Sequence, residues 1–289
     1  MVAADTMRPV DRHAEFALFL RSRRERLSPE DSGLPPSTKR RRTPGLRREE
    51  VAQLAGVSVD YYVRLEQGRK LRPSPAVLKA LARALQLEPD EFQHMVTLLN
   101  QGSRTAAPRA PERVRPGVRR LLEQLDPTPA FVLGRRMDVL AWNTMAAALF
   151  GDFGSVPASR RNMIWLLFLH PSARSRYVNW ADNARESIAH LRAAYGRHPD
   201  DPAMAELVDE LSAKSVEFRE LWARHDVREK GHGRKVLDHP DVGRLELEYE
   251  TLRLHDDDDQ FLVTFTAEAD SPSQAALDLL AVLARATTP

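Results

Sequence analysis

The 289-residue sequence contains no cysteine, which excludes disulfide staples, thiolate metal sites and a cysteine nucleophile. No apolar run approaches the roughly 20 residues of a membrane span. The opening stretch, MVAADTMRPVDRHAEF, lacks the apolar centre of a secretory signal, so a cytoplasmic protein with no membrane partner is expected. Enzyme signatures are missing too. His190, His198, His225, His232 and His239 are scattered without the HExxH spacing of a zinc helix. The stretch GHGRK, 231–235, is neither a phosphate-binding loop nor a dinucleotide fingerprint. DDDD, 256–259, reads as a hairpin turn, because a calcium loop needs ligands at alternating positions and a closing bidentate carboxylate. No catalytic residue, cofactor or metal is expected, and there is no internal repeat.

Hydrophobic residues make up 42% of the chain and charged residues 29%. That composition supports a sizeable core, and the length suggests two domains. The net charge of +2 hides an asymmetry. Residues 1–120 carry 24 Lys and Arg against 14 Asp and Glu, a net of +10, whereas 121–289 carry 19 against 27, a net of −8. A basic front and an acidic back point to a polyanionic partner for the front only.

HAEFALFLRSRRERLS reads as an amphipathic helix with Phe16, Phe19, Leu20 and Leu27 towards one side. A loop rich in proline, serine and charge follows, and it includes Lys39, Arg40, Arg41 and Arg42. That basic run is either a solvated loop or an arm that reaches DNA phosphates and the minor groove. RREEVAQLA, SVDYYVRLEQ, SPAVLKALARAL and EPDEFQHMVTLLN complete five helices, with Ser58 and Ser74 as N-caps and Pro75 at a first helical position. Residues 101–117 have the Pro, Ala, Arg and Gly content of a semi-rigid linker. Beyond it, PAFVLGRRMDVLAWN suggests a hairpin, a mainly helical stretch runs from about Thr144 to His225, three strands alternate in period two, and a capped helix closes the chain. The expected class is mainly α with a smaller antiparallel sheet (α+β). Its parts are a helical domain over 1–100, the linker, and a second domain over 118–289.

Within the helical domain, Val51, Ala52 and Leu54 are expected to pack inward, Gly56 to turn the chain, and Val57, Tyr62 and Leu65 to form the apolar side of the next helix. Val59, Asp60, Tyr61, Val63 and Arg64 are left to face outward, where a helix end with Tyr, Asp and Arg suits base edges in a major groove. The stretch EEVAQLAGVS followed by YYVRLEQGR resembles the helix-turn-helix of the XRE-type, lambda-repressor-like domain, over about Glu15 to Asn100. The resemblance implies a five-helix domain that binds double-stranded DNA. It puts Val59, Asp60, Tyr61 and Arg64 at bases and Arg47, Arg48 and Arg69 at phosphates. Members often have Gln or Thr where this chain has Arg47 and Arg48, so no base preference is transferred.

All four tryptophans lie in the back half, among other large aromatics, as in a domain with an apolar cavity. The segments VLAWN, NMIWLLFLHPSARSRYVNW, LRAAYGRHPDDP, LSAKSVEFRELWARHDV and HPDVGRLELEYE resemble, in order, the ligand-binding domain of MmyB-type regulators. That resemblance covers about 115–285. It implies a PAS-like fold, a small antiparallel sheet with helices against it, holding an apolar, fatty-acid-like small molecule. Trp142, Met145, Phe150, Trp165, Phe168, Trp180 and Trp222 are the candidate pocket residues, although any one of them taken alone reads better as ordinary core. The expectation is a transcription regulator that binds DNA as a homodimer and is tuned by a small-molecule effector. The alternative is that the back half only dimerises or binds a protein.

Overall fold

The computed structural model describes residues 11–30, 32–34, 45–100, 112–229, 231–255 and 260–287. The basic run Lys39–Arg42, most of the expected linker and the DDDD turn lie outside them.

Five helices form the N-terminal head: α1 (Arg12–Arg26), α2 (Arg48–Ala55), α3 (Val59–Glu66), α4 (Pro75–Ala84) and α5 (Pro89–Asn100). Local chemistry sets their ends. The Asp11 carboxylate accepts from the His13 and Ala14 amides, Ser58 Oγ accepts from Tyr61 N at 3.2 Å, and Ser74 Oγ accepts from Val77 N at 3.3 Å. Each satisfies amides that a first helical turn leaves open. Gly56 closes α2 at φ 64°, a left-handed conformation that glycine adopts without a Cβ clash. The resulting turn lays α3 across α2, and Tyr62 and Leu65 enter the same core as Phe16, Phe19, Leu20 and Val51. Full burial of a large apolar side chain contributes roughly 1.5–3 kcal/mol. Leu54 departs from expectation. It stays exposed and Ala55 is buried in its place, because the next helical position is the one aimed at the core.

The second domain begins with α6 (Pro116–Gln124), a helix absent from the sequence reading. It starts inside the last two residues of the expected linker. A hairpin of β1 (Ala130–Leu133) and β2 (Val139–Trp142) follows as expected. The helical stretch resolves into α7 (Thr144–Phe150), α8 (Met163–Leu169), α9 (Ala173–Arg176), α10 (Trp180–Arg197), α11 (Pro202–Lys214) and α12 (Val216–Trp222). Then come β3 (His232–His239), β4 (Gly243–Arg253), β5 (Phe261–Thr266) and α13 (Pro272–Thr287).

The five strands make one antiparallel sheet in the order β2-β1-β5-β4-β3. Strand alternation divides its residues between two cores. Phe131, Leu133, Leu245, Leu247, Val263 and Phe265 pack with α7 and α13 on one face. Ala130, Val132 and Leu262 pack with Val118 and Leu122 of α6 on the other. A third core joins α8, α10, α11 and α12. The fold is therefore α+β, a helical head followed by a sheet domain with helices against it. The head also rests on the second domain, for Ala193 of α10 and Val227 belong to the head's own core.

Candidate DNA-binding surface and ligand cavity

The outward side of α3 carries Val59, 47% exposed, Asp60, and Arg64 one turn further on. Arg64 Nη1 lies 3.9 Å from Asp60 Oδ2, so the carboxylate steers the guanidinium along the helix. The pair is exposed and adds little stability. Tyr61 and Val63 are only half-exposed, and Tyr61 packs partly against the head core, so its rim rather than its whole ring is presented.

Arg48, on the first turn of α2, leans on α3: its Nε donates to Glu66 Oε2 at 2.6 Å. The Glu66 side chain is fully buried and also accepts from Arg24 Nε at 2.5 Å. Burial pushes this carboxyl up, but hydrogen bonds from Arg24 and Arg48 outweigh burial and hold it below the usual carboxylate range. Glu66 thus ties α1, α2 and α3 together behind the reader face. Arg47 is half-buried, and its amide donates to Glu50 Oε2 at 2.7 Å. With Glu49 and Glu50 in its first turn, α2 already holds its own anions, as α3 does with Asp60. Arg69 is exposed, as are Lys70 and Arg72 just beyond it. These last two were not singled out from sequence, although the run RKLR marks them.

A cavity of about 110 Å³ lies between the sheet and helices α8 and α10, several times the roughly 10–15 Å³ that one water needs. Its apolar wall comes from Phe131, Leu133, Val263 and Phe265 of the sheet, Phe150 of α7, and Met163 and Leu167 of α8. Asn183, Glu186, Ser187 and His190 of α10 form the polar wall, joined by Arg228 and Lys235. Lys235 Nζ donates to Asn183 Oδ1 and lies 5.2 Å from the Tyr249 ring centre. Burial, with help from Arg197 and Arg253, lowers His190 to about 4, so its ring is neutral. Burial lifts the Tyr249 phenol to about 12, and Glu186 adds to the effect.

Of the seven aromatic and methionine candidates, Phe150 lines this cavity. The structure places the other six elsewhere. Met145 is buried in the core on the sheet's α7 side. Trp142 packs on Phe153 with Arg161 4.8 Å from its ring centre. Trp165 donates Nε1–H to Glu210 at 3.3 Å. Phe168 sits between Trp180 and Phe218, and Trp222 stacks on Phe218. The two faces of α8 explain the split: Met163 and Leu167, four apart, meet the sheet, whereas Trp165 and Phe168 point away from it.

These two sites define a class, a helix-turn-helix DNA-binding head joined to a domain with a cavity against its sheet. Comparison with known families agrees. Residues 15–95 match a helix-turn-helix domain, and residues 114–280 match the MmyB-like transcription regulator ligand binding domain. The second match spans more than half of the chain, and the protein belongs to that family. It is a DNA-binding transcription regulator, and both matched families are regulatory. No curated protein matches the chain. Among the described residues, no helix is long and apolar enough to cross a membrane.

Proposed function

We propose that this regulator binds its operator as a homodimer and that an apolar, fatty-acid-like molecule in the cavity tunes its occupancy of DNA. We read it as a cytoplasmic binding protein without catalytic activity. The observation that carries the reading is the cavity's mixed lining: aromatic and aliphatic side chains of β1 and β5, and a polar part made by α10, Arg228 and, at the edge strand β3, Lys235. A chain with an apolar body and a polar head is complementary to both walls. Val59, Asp60, Tyr61 and Arg64 would read bases, with Arg48, Arg69, Lys70 and Arg72 at the backbone.

A second reading keeps the DNA-binding head and makes the back half a dimerisation or protein-interaction module. The outer side of α13 favours it, with Leu279 50%, Val282 61% and Leu283 41% exposed. Native mass spectrometry of the purified chain, followed by titration with dodecanoate, separates the two. A retained or bound amphiphile that raises the melting temperature and shifts operator affinity supports sensing. Neither retention nor binding of any apolar compound leaves the interaction module.

A further inference from the structure

We infer that the seam between the DNA-binding head and the ligand-binding domain is the element through which the state of the cavity reaches DNA. The inference rests on reading the cavity as a regulatory site, and it names the route by which that site acts. Helix α10 serves both. Asn183, Ser187 and His190 line the cavity, while Arg192, Ala193 and Gly196 meet the head. Arg192 follows His190 by two positions, about 200° around the helix.

The segment after α12 has the same double role within a few residues. His225 O accepts from Arg23 of α1, Asp226 pairs with Arg26, and Val227 is buried in the head core. The next residue, Arg228, lines the cavity, and its amide donates to Ala189 O on α10 at 3.3 Å. Glu229 N then returns to the head, donating to Asp90 Oδ2 at 2.9 Å. A displacement of Arg228 or α10 by an occupant of the cavity is therefore passed one residue along the chain to Val227, or across one helix to Arg192.

The seam is built to hold or to open, with little room for gradual deformation. Arg192 is 1% exposed, its Nη1 lies 3.1 Å from Glu15 Oε2, and its Nη2 lies 2.5 Å from Trp222 O. Arg23 is 3% exposed and meets Glu91 at 2.8 Å. Buried charges tolerate no loss of partner without a large cost. Gly196 lies so close to α5 that an added Cβ would sit 2.4 Å from His94 Cε1. A small shift of α10 therefore breaks contacts in the seam, the behaviour of a packed interface with discrete arrangements. None of these seam contacts involves the exposed side of α3. The seam sets how firmly the head is held and in what orientation, and it leaves the reader face uncovered.

The test uses the full chain and fills the cavity in two ways. The Ser187→Met chain occupies it with a protein side chain, and dodecanoate occupies it with a ligand. Amide hydrogen exchange is followed at the cavity walls and at the seam, residues 12–26, 89–99 and 222–229. Operator affinity is measured on DNA selected by the protein itself. The Ser187→Met chain is expected to alter exchange at the seam and to shift operator affinity by roughly 5–150-fold. Adding Glu15→Gln, which lies outside the cavity, is expected to reduce that shift towards unity. Thr251→Leu fills the cavity from the sheet if the helix substitution unfolds the domain. Altered exchange confined to the cavity walls, with the seam and operator affinity unchanged, overturns the inference. Altered seam exchange in the filled variant with no response to dodecanoate supports the seam and removes the fatty-acid-like effector instead.

Discussion

Glu66→Gln removes the charge on which Arg24 and Arg48 converge. The Glu66 side chain is fully buried, and Arg24 is 7% exposed. The substitution leaves a buried guanidinium facing an amide whose NH2 it cannot satisfy. Losing one partner of a buried pair costs roughly 3–5 kcal/mol, a large share of the 5–15 kcal/mol that ordinarily holds a domain together. Arg48→Met is the control. Arg48 is 46% exposed, so water already screens the pair that is lost, and Glu66 keeps Arg24, so the expected cost is at most about 1 kcal/mol. The same pair fixes the pH dependence. The folded-state pKa of Glu66 is depressed, so its contribution is present above the ordinary value of 4.5 and is lost as pH falls below it towards the folded value. Every tryptophan lies outside the head, so tryptophan fluorescence would report the wrong domain. Urea unfolding of the full chain should instead be followed by far-ultraviolet circular dichroism, with hydrogen exchange in α1 to α3 locating the loss. Equal destabilisation by Glu66→Gln and Arg48→Met would refute the hub.

Arg64→Ala is expected to weaken operator binding by about 1–3 kcal/mol, as for a bidentate base contact, and Tyr61→Ala to weaken it less, because part of its ring is in the core. Gel shifts with folded variants check this, and unchanged binding by both returns α3 to a purely structural role. Lys70→Gln and Arg72→Gln should each flatten the log–log salt dependence of binding by roughly 0.9 per lost phosphate contact while leaving base preference intact. Burial, followed by nearby arginines, lowers His94 and His225 to about 3, and burial with Arg197 and Arg253 lowers His190 to about 4. The unfolded chain therefore takes up these protons first, and stability should fall as pH drops from 6.5 towards those values, by about 1.4 kcal/mol per pH unit for each ring. His94→Gln should flatten that slope in urea unfolding between about pH 5 and 7, and an unaltered slope would show that His94 is not held neutral.

What lay closest along the chain was the most legible. The five head helices, their serine caps and the glycine turn depend on neighbours within a few residues, and periodicity with capping chemistry expressed them. Two apolar runs around GRR did the same for the hairpin and period-two alternation for the three later strands, and the charge asymmetry pointed to a polyanion. Leu54 and α6 show the limit of this reading. Whether position 54 or 55 faces the core is a question of how α2 meets its neighbours, and the short α6 follows a proline-rich stretch whose composition looked like linker.

The sequence by itself determined the class: helix-forming periodicity, a basic front and the ordered motifs of a regulator. Tertiary structure decided which side chains form the sites. Large aromatics marked the back half as rich in core, but size carries no direction, and only the packing of α8 and α10 on the sheet placed Phe150 in the cavity while sending Phe168 and Trp222 to a separate core. The seam was beyond sequence altogether. Glu15 and Arg192 stand 177 residues apart, and no local pattern records that a carboxylate on the first helix completes a buried guanidinium on the tenth. Such pairing follows from burial and long-range packing, which exist only once the chain has folded.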